Sequence, residues 1–406
     1  MNTTKDANRV RAESRQVEVV SLPASNKNEA GAHQVDDTVA AAQPRVTYLL
    51  GAGATHGGVM AYGSIEGVLM KDLSSALEVL TRELVTRSYP SLTELANTVI
   101  TAESDFEHII TFLDESVANV DRQFAQELRE IFSKVLRERL ARISVALNGL
   151  HTKVYATLID MYNVYAFGER LMGFLTLNYD DFLEAAIEVD LGRSVDYGIR
   201  IDQIPLSATS IKVLKLHGSF SWGEEWPVRR DAGGDGLWIP PGIRKKKTDY
   251  PFNLIWGSAR ELLDCDLLRI VGCNLGANDW DLISLLFTTK HLNASGTSFR
   301  VELITDLKTA NRIKSQYPYL DARHFVEDSM IGPTIMSEQL GREEASYDSL
   351  DEEQRKEFCL KFDEEIKNPV QYWMEQMIGK LMVEADTINT PKGFVEQFVD
   401  RFAVAG

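Results

Sequence analysis

Val46-Thr47-Tyr48-Leu49-Leu50-Gly51-Ala52-Gly53-Ala54-Thr55 is the stretch from which the rest of the chain can be read. A five-residue apolar run rich in strand formers ends abruptly in a glycine turn. That pattern describes a parallel strand buried on both faces. Four later segments have the same form: Leu171 to Leu177, Ile211 to Leu216, Leu267 to Val271 and Val301 to Thr305. Each runs into small or polar residues, namely Asn178-Tyr179-Asp180, His217-Gly218-Ser219, Gly272-Cys273-Asn274 and Asp306. Apolar strands with polar residues at their carboxyl ends predict an α/β protein, Rossmann-like, with an open parallel sheet and ligands bound along that edge.

Residues 1–44 contain no aromatic residue and no isoleucine. Such a segment buries too little apolar surface to offset its ordering entropy, so it is expected to be a disordered tail. Residues 45–330 form the expected sheet-containing domain. Within it, about residues 64–168 read as a helical insert, since Phe106, Ile109, Ile110 and Leu113 follow helical spacing, as do Leu128, Ile131, Phe132, Val135 and Leu136. The charged stretch Glu127 to Arg142 reads as a solvated helix face. Residues 331–406 form an acidic helical C-terminal region. There Leu360, Phe362, Ile366, Tyr372, Trp373, Met377 and Leu381 predict amphipathic helices that bury a face against the sheet or against a second copy of the chain.

The 406 residues are 44% hydrophobic and 25% charged, which suits a chain with a sizeable core and excludes collagen-like, coiled-coil and wholly disordered classes. With 43 basic and 60 acidic residues, the net charge of −17 opposes a nucleic-acid-coating role, and no direct nucleic-acid binding is expected. Three scattered cysteines provide neither a disulfide framework nor a C-x-x-C zinc site, so no metal is expected. No apolar run approaches the roughly 18 residues that cross a bilayer. The N-terminus also lacks the apolar core of a signal peptide. A cytoplasmic protein with no membrane association is the expectation.

At the glycine turn, the backbone can approach a pyrophosphate while a following helix presents its first amides to the charge. The dehydrogenase fingerprint G-x-G-x-x-G is incomplete, because His56 stands where its third glycine belongs. Hydride transfer is therefore disfavoured. Three motifs accompany the turn in order: Thr176-Leu177-Asn178-Tyr179-Asp180, Lys215-Leu216-His217-Gly218-Ser219, and Gly272-Cys273-Asn274-Leu275-Gly276-Ala277-Asn278-Asp279. Together with Gly51-Ala52-Gly53-Ala54-Thr55, the series resembles the sirtuin NAD-binding core over about residues 45–310. It looks most like the bacterial sirtuin-like branch of anti-phage defence, in which the domain hydrolyses NAD. Trp238-Ile239-Pro240-Pro241 and Lys245 to Lys247 also look like that branch. The four zinc cysteines of protein-deacylating sirtuins are missing, and Gly58-Val59-Met60-Ala61-Tyr62 lacks the Phe and Arg of their Gly-Ile-Pro-x-Phe-Arg stretch.

The resemblance implies that NAD is a substrate, cleaved to nicotinamide and ADP-ribose. Nicotinamide leaves as a neutral molecule, so the chemistry needs no acid for it; it needs a base for water and support for oxocarbenium-like charge. Asn178 and His217 are the candidate catalytic pair: an amide orients a hydroxyl or water without changing charge, and an imidazole with an ordinary pKa of about 6.5 serves as a base near neutrality. Gly51, Ala52, Gly53, Ala54, Thr55 and Gly272 would hold the dinucleotide. By resemblance, Asp180 would receive the nicotinamide carboxamide, Ser219 or Asn274 a ribose, and Thr305 or Asp306 the adenosine half. The resemblance further implies a homo-oligomer and a HerA-type ATPase as partner. Rival expectations are a module that senses NAD or ADP-ribose without turnover, and a protein deacylase.

Other candidates read as ordinary features. Asp105, Glu107, Asp279 and Asp281 suit helix starts. Arg244 with Lys245-Lys246-Lys247 suits a solvated loop. His33 falls in the tail and His324 in a loop-like stretch.

Overall fold

A computed structural model of the chain describes residues 43–61, 64, 66–90, 106–163, 169–199, 209–222, 237–239, 248–292, 299–327, 349–366 and 368–373. The expected tail to residue 42, Asp105, Pro240, Pro241, the Arg244–Lys247 run, Met377 and Leu381 lie outside those residues.

The five apolar runs are strands: β1 (Arg45–Leu50), β2 (Arg170–Thr176), β4 (Ile211–Lys215), β7 (Leu267–Val271) and β8 (Arg300–Ile304). Two short strands, β3 (Val195–Asp196) and β9 (Ala322–His324), complete a seven-stranded sheet in the order β3-β4-β2-β1-β7-β8-β9. All of its pairings are parallel. A separate antiparallel pair, β5 (Gly218–Ser219) with β6 (Leu237–Trp238), stands beyond the end of β4. The chain builds outward from β1 on one side through β2 and β4, then returns to add β7 on the other. Such a reversal opens a crevice at the carboxyl edge beside β1.

Side chains alternate between the two faces. Val46, Tyr48 and Leu50 enter one apolar cluster while Leu49 enters the other, and Val213 and Leu214 divide the same way. The first face is covered by α1 (Ala52–Ala61), α2 (Met70–Ser88), α3 (Phe106–Asp114), α4 (Asn119–Leu147) and α5 (Lys153–Asn163). The described residues between β1 and β2 are thus largely helical, including the two stretches whose spacing predicts it. Phe124, Leu128, Phe132, Val135, Ile143 and Leu147 form the buried stripe of α4, which ends on Asn148 in the left-handed conformation. The second face is covered by α7 (Phe252–Leu262), α8 (Trp280–Leu292) and α9 (Leu307–Gln316), while α6 (Phe182–Ala185) lies after β2.

The described residues of the C-terminal region, 349–366 and 368–373, pack against the sheet domain. In α10 (Glu352–Glu365), Phe358 and Phe362 are buried one helical turn apart, and Trp373 lies 6.3 Å from the Tyr48 ring. Gly57 of α1 makes room for this segment, since a Cβ there would sit 2.9 Å from Val370 Cγ1. Three expectations need correction. Leu360 is 66% exposed, because the buried stripe of α10 is set by the two phenylalanines and Leu360 lies two residues, about 200°, from each. The charged face of α4 is only partly solvated: Arg129 pairs with Asp114, Arg139 with Glu66, and the Arg137 guanidinium lies 4.8 Å from the Phe220 ring centroid. His324 is no loop residue; it ends β9 in full burial, with Nε2 2.7 Å from the Thr305 carbonyl oxygen.

Candidate functional site

The glycine turn and the end of β7 interlock. Gly51 N donates to Val271 O (3.0 Å) and Gly53 N to Gly272 O (2.9 Å), while Ala54 N returns to Gly51 O (2.9 Å). A Cβ on Gly51 would lie 2.6 Å from Gly272 O. One on Gly272, whose φ is +57°, would lie 2.2 Å from Ala54 N. These glycines therefore let two backbones touch. Three of the four amides from Gly51 to Ala54 are committed inside the protein. Ala52 is exposed, and its N–H donates to none of the described residues. The turn thus offers an anion one open amide at the start of α1, rather than a full ring of them.

Asn178 leans across this turn from the end of β2. Its Nδ2 donates to Gly51 O (3.0 Å) and to Thr55 Oγ1 (3.0 Å). Because a carbonyl oxygen only accepts, the Gly51 contact fixes which end of the amide is nitrogen. Both amide hydrogens are then used, and Oδ1 accepts from none of the described residues. Thr55, itself 1% exposed, donates to Asp180 Oδ2 (2.9 Å) and lies 3.2 Å from the Tyr155 hydroxyl. Asp180 Oδ1 accepts from Phe182 N (3.2 Å). Desolvation pushes the Asp180 carboxyl up from its ordinary pKa, against the opposing pull of Lys215 and Thr55.

Below Asp180 lies a buried ion pair. Lys215 Nζ stands 2.8 Å from Glu184 Oε1, each side chain being 1% exposed, and Lys215 also donates to the Asp180 carbonyl. Burial raises the Glu184 pKa, with Lys215 acting to lower it. Lys215, the second of two lysines in the run Ile211 to Leu216, was the visible signal for such a partner, since a buried cation needs a counter-charge. Nothing local marked Glu184 or Tyr155 as belonging here.

His217 follows β4. Thr176 pairs with Lys215 in register, so Asn178 and His217 each stand two residues past that pair, beyond the carboxyl ends of two neighbouring strands. Val213 and Leu214 divide between the two faces, so alternation sends Lys215 toward the first face, while His217 stands beyond the strand in the turn that precedes Gly218. The His217 ring is 5% exposed and lies 6.2 Å from that of Tyr179, centroid to centroid. Tyr179 OH donates to Ile239 O (3.0 Å), and Ile239 N donates to His217 O (2.8 Å). Around Tyr179 stand Phe220 (5.1 Å), Trp238 (5.3 Å) and, from the insert, Phe132 (6.3 Å). The insert therefore forms part of the wall beside the candidate pair, which its sequence did not announce.

The remaining candidates have partners within the protein or stand exposed. Ser219 is fully buried, donates to Tyr179 O (3.1 Å) and meets Ser221 Oγ at 3.0 Å. Asn274 is exposed, its Oδ1 accepting from Gly276 N (3.1 Å). Thr305 lies at the end of β8, and Asp306 caps α9 by accepting from Thr309 N (2.8 Å). His56 Nδ1 lies 3.4 Å from Asp72 Oδ2, and burial lowers its pKa. Among the described residues no helix is long and apolar enough to cross a membrane, and no group of three or more His, Cys, Asp or Glu is arranged to hold a metal ion.

No protein-family model matches the sequence, and no curated protein matches it.

Proposed function

We propose that the chain is an NAD glycohydrolase of the sirtuin-like type, with Asn178 and His217 as its catalytic pair. The observation that carries this reading is the orientation of Asn178: both N–H groups face inward to Gly51 and Thr55, so the amide oxygen is left to accept from a ribose hydroxyl or a water. In the reaction the C1′–N bond breaks and its electron pair stays on the departing nicotinamide. Water adds at C1′, and the proton it loses passes to His217. Ala52 N, at the start of α1, is the amide open to the pyrophosphate. The sequence resemblance supplies the setting: NAD depletion in anti-phage defence, by a homo-oligomer working with a HerA-type ATPase.

A second reading has one observation in its favour. His217 is almost fully covered, which suits a module that binds NAD or ADP-ribose without turnover. Incubation with NAD followed by chromatography separates the two. Nicotinamide and ADP-ribose appearing in equal amounts support the hydrolase; stoichiometric binding without nicotinamide release supports the sensor.

A further inference from the structure

Thr55 belongs to the glycine turn, yet its hydroxyl has no capacity left for a ligand. A threonine hydroxyl offers one hydrogen and two lone pairs. The hydrogen goes to Asp180 Oδ2 at 2.9 Å, one lone pair receives Asn178 Nδ2 at 3.0 Å, and the other faces the Tyr155 hydroxyl at 3.2 Å. With the threonine hydrogen directed to Asp180 Oδ2, Tyr155 is the donor to Thr55. Three elements meet at this one oxygen: α1, the end of β2, and α5. The side chain is 1% exposed.

Resting on the reading of Asn178 as a catalytic group, we propose that Thr55 is a positioning residue for it and makes no contact with NAD. The saturated hydroxyl holds the Asn178 amide in the one orientation that turns Oδ1 away from the protein. Tyr155, from the helical insert, completes the clamp. The Lys215–Glu184 pair anchors it from beneath by binding the Asp180 carbonyl. Without the Thr55 acceptor, one Asn178 hydrogen is unpaired and only the Gly51 carbonyl still restrains the amide about its terminal torsion, which is broad and roughly two-fold. A displaced group of this kind lowers turnover more than it weakens substrate binding.

The test uses the full chain with Thr55→Val, which keeps the shape and removes the hydroxyl, and Thr55→Ser, which restores it. Nicotinamide release is measured against NAD concentration. In parallel, selective ¹⁵N labelling of asparagine reads hydrogen exchange of the Asn178 carboxamide, which needs no turnover. The expected result is a kcat about 100-fold lower in Thr55→Val with KM within threefold. Carboxamide exchange should be at least tenfold faster, and Thr55→Ser should recover both. Tyr155→Phe, which leaves the turn untouched, is the second variant, with a three- to tenfold loss in kcat and faster exchange. Unchanged exchange in Thr55→Val and Tyr155→Phe overturns the proposal, as does a Thr55→Val kcat equal to that of an active wild type. A wild type that releases no nicotinamide sinks the glycohydrolase reading instead, and the exchange data then decide the clamp alone.

Discussion

Two buried polar networks sit on the same face of the same sheet, and they differ in one respect. Under the middle of the sheet, Arg269 Nε donates to Glu302 Oε2 at 2.7 Å. Its two terminal nitrogens bind Glu169 at 2.7 and 2.9 Å, and Nη1 also reaches the Tyr162 hydroxyl at 2.8 Å. Tyr48 closes the ring through Tyr162 at 2.6 Å. At the sheet edge, the network of Asn178, Thr55, Tyr155 and Asp180 is equally dense, but Oδ1 of Asn178 is left over. The first network joins β1, β7 and β8 to α5 and turns inward. The second also holds the fold together, yet it ends in an acceptor at the carboxyl edge of the sheet, where open α/β folds place their ligands. A polar cluster that closes on itself is explained by structure; one that leaves an oriented acceptor at such an edge invites a chemical reading.

The contrast can be broken by substitution. Arg269→Met leaves the Glu169 and Glu302 carboxylates buried without their cation, and removal of one partner from such a cluster costs about 3–5 kcal/mol. Urea unfolding at neutral pH is expected to show a loss of that size, whereas Asn178→Ala should move the unfolding midpoint far less while abolishing nicotinamide release. Equal destabilisation by the two variants would erase the distinction between the networks. Lys215→Met probes the second network from beneath, since it leaves Glu184 unpaired next to Asp180. A stability loss of about 3 kcal/mol is expected, together with faster exchange of the Asn178 carboxamide.

His324 supplies a pH-dependent term outside both networks. Burial lowers its pKa from 6.5 to about 4, with Lys314 adding to the shift and the Thr305 carbonyl and Asp306 opposing it. The unfolded chain therefore takes up a proton near pH 6.5 that the folded chain refuses until about pH 4. Stability from this group is complete above pH 6.5 and falls as the pH drops through that window, by roughly 2 kcal/mol at pH 5 at about 1.4 kcal/mol per unit. Urea titrations of wild type and His324→Gln at pH 7 and pH 5 should show a smaller loss on acidification in the variant. The smallest expected effect is at Leu360, where an exposed position on α10 predicts that Leu360→Lys changes stability by less than about 0.5 kcal/mol.

The long strands were legible because each is an apolar run of about the right length with a polar end, and the insert because its spacing is helical. The two-residue strands β3, β5 and β6 carry too little pattern to see. Three-residue β9 was hidden because His324 and Arg323 look like loop residues until the fold buries one of them. Leu360 misleads because an apolar side chain is compatible with either face of a helix, and only its neighbours Phe358 and Phe362 decide which face turns in. In the site, the residue types at strand ends were readable, but their hydrogen bonds were not. Asn178 reaches a carbonyl 127 positions earlier and Tyr155 comes from a helix 100 positions beyond Thr55. Such contacts follow from topology and register, which no local window contains. The charged residues inside apolar strands, Lys215, Arg269 and Glu302, announced that partners must exist without naming them.

The central claim is that the oriented oxygen of Asn178 and the His217 ring act together on the nicotinamide–ribose bond. Its most direct test is product chromatography after incubating NAD with the wild-type chain, Asn178→Ala and His217→Ala at matched concentration. The account predicts stoichiometric nicotinamide and ADP-ribose from the wild type, and at least a 100-fold slower release from either variant. Release by both variants at the wild-type rate would contradict it.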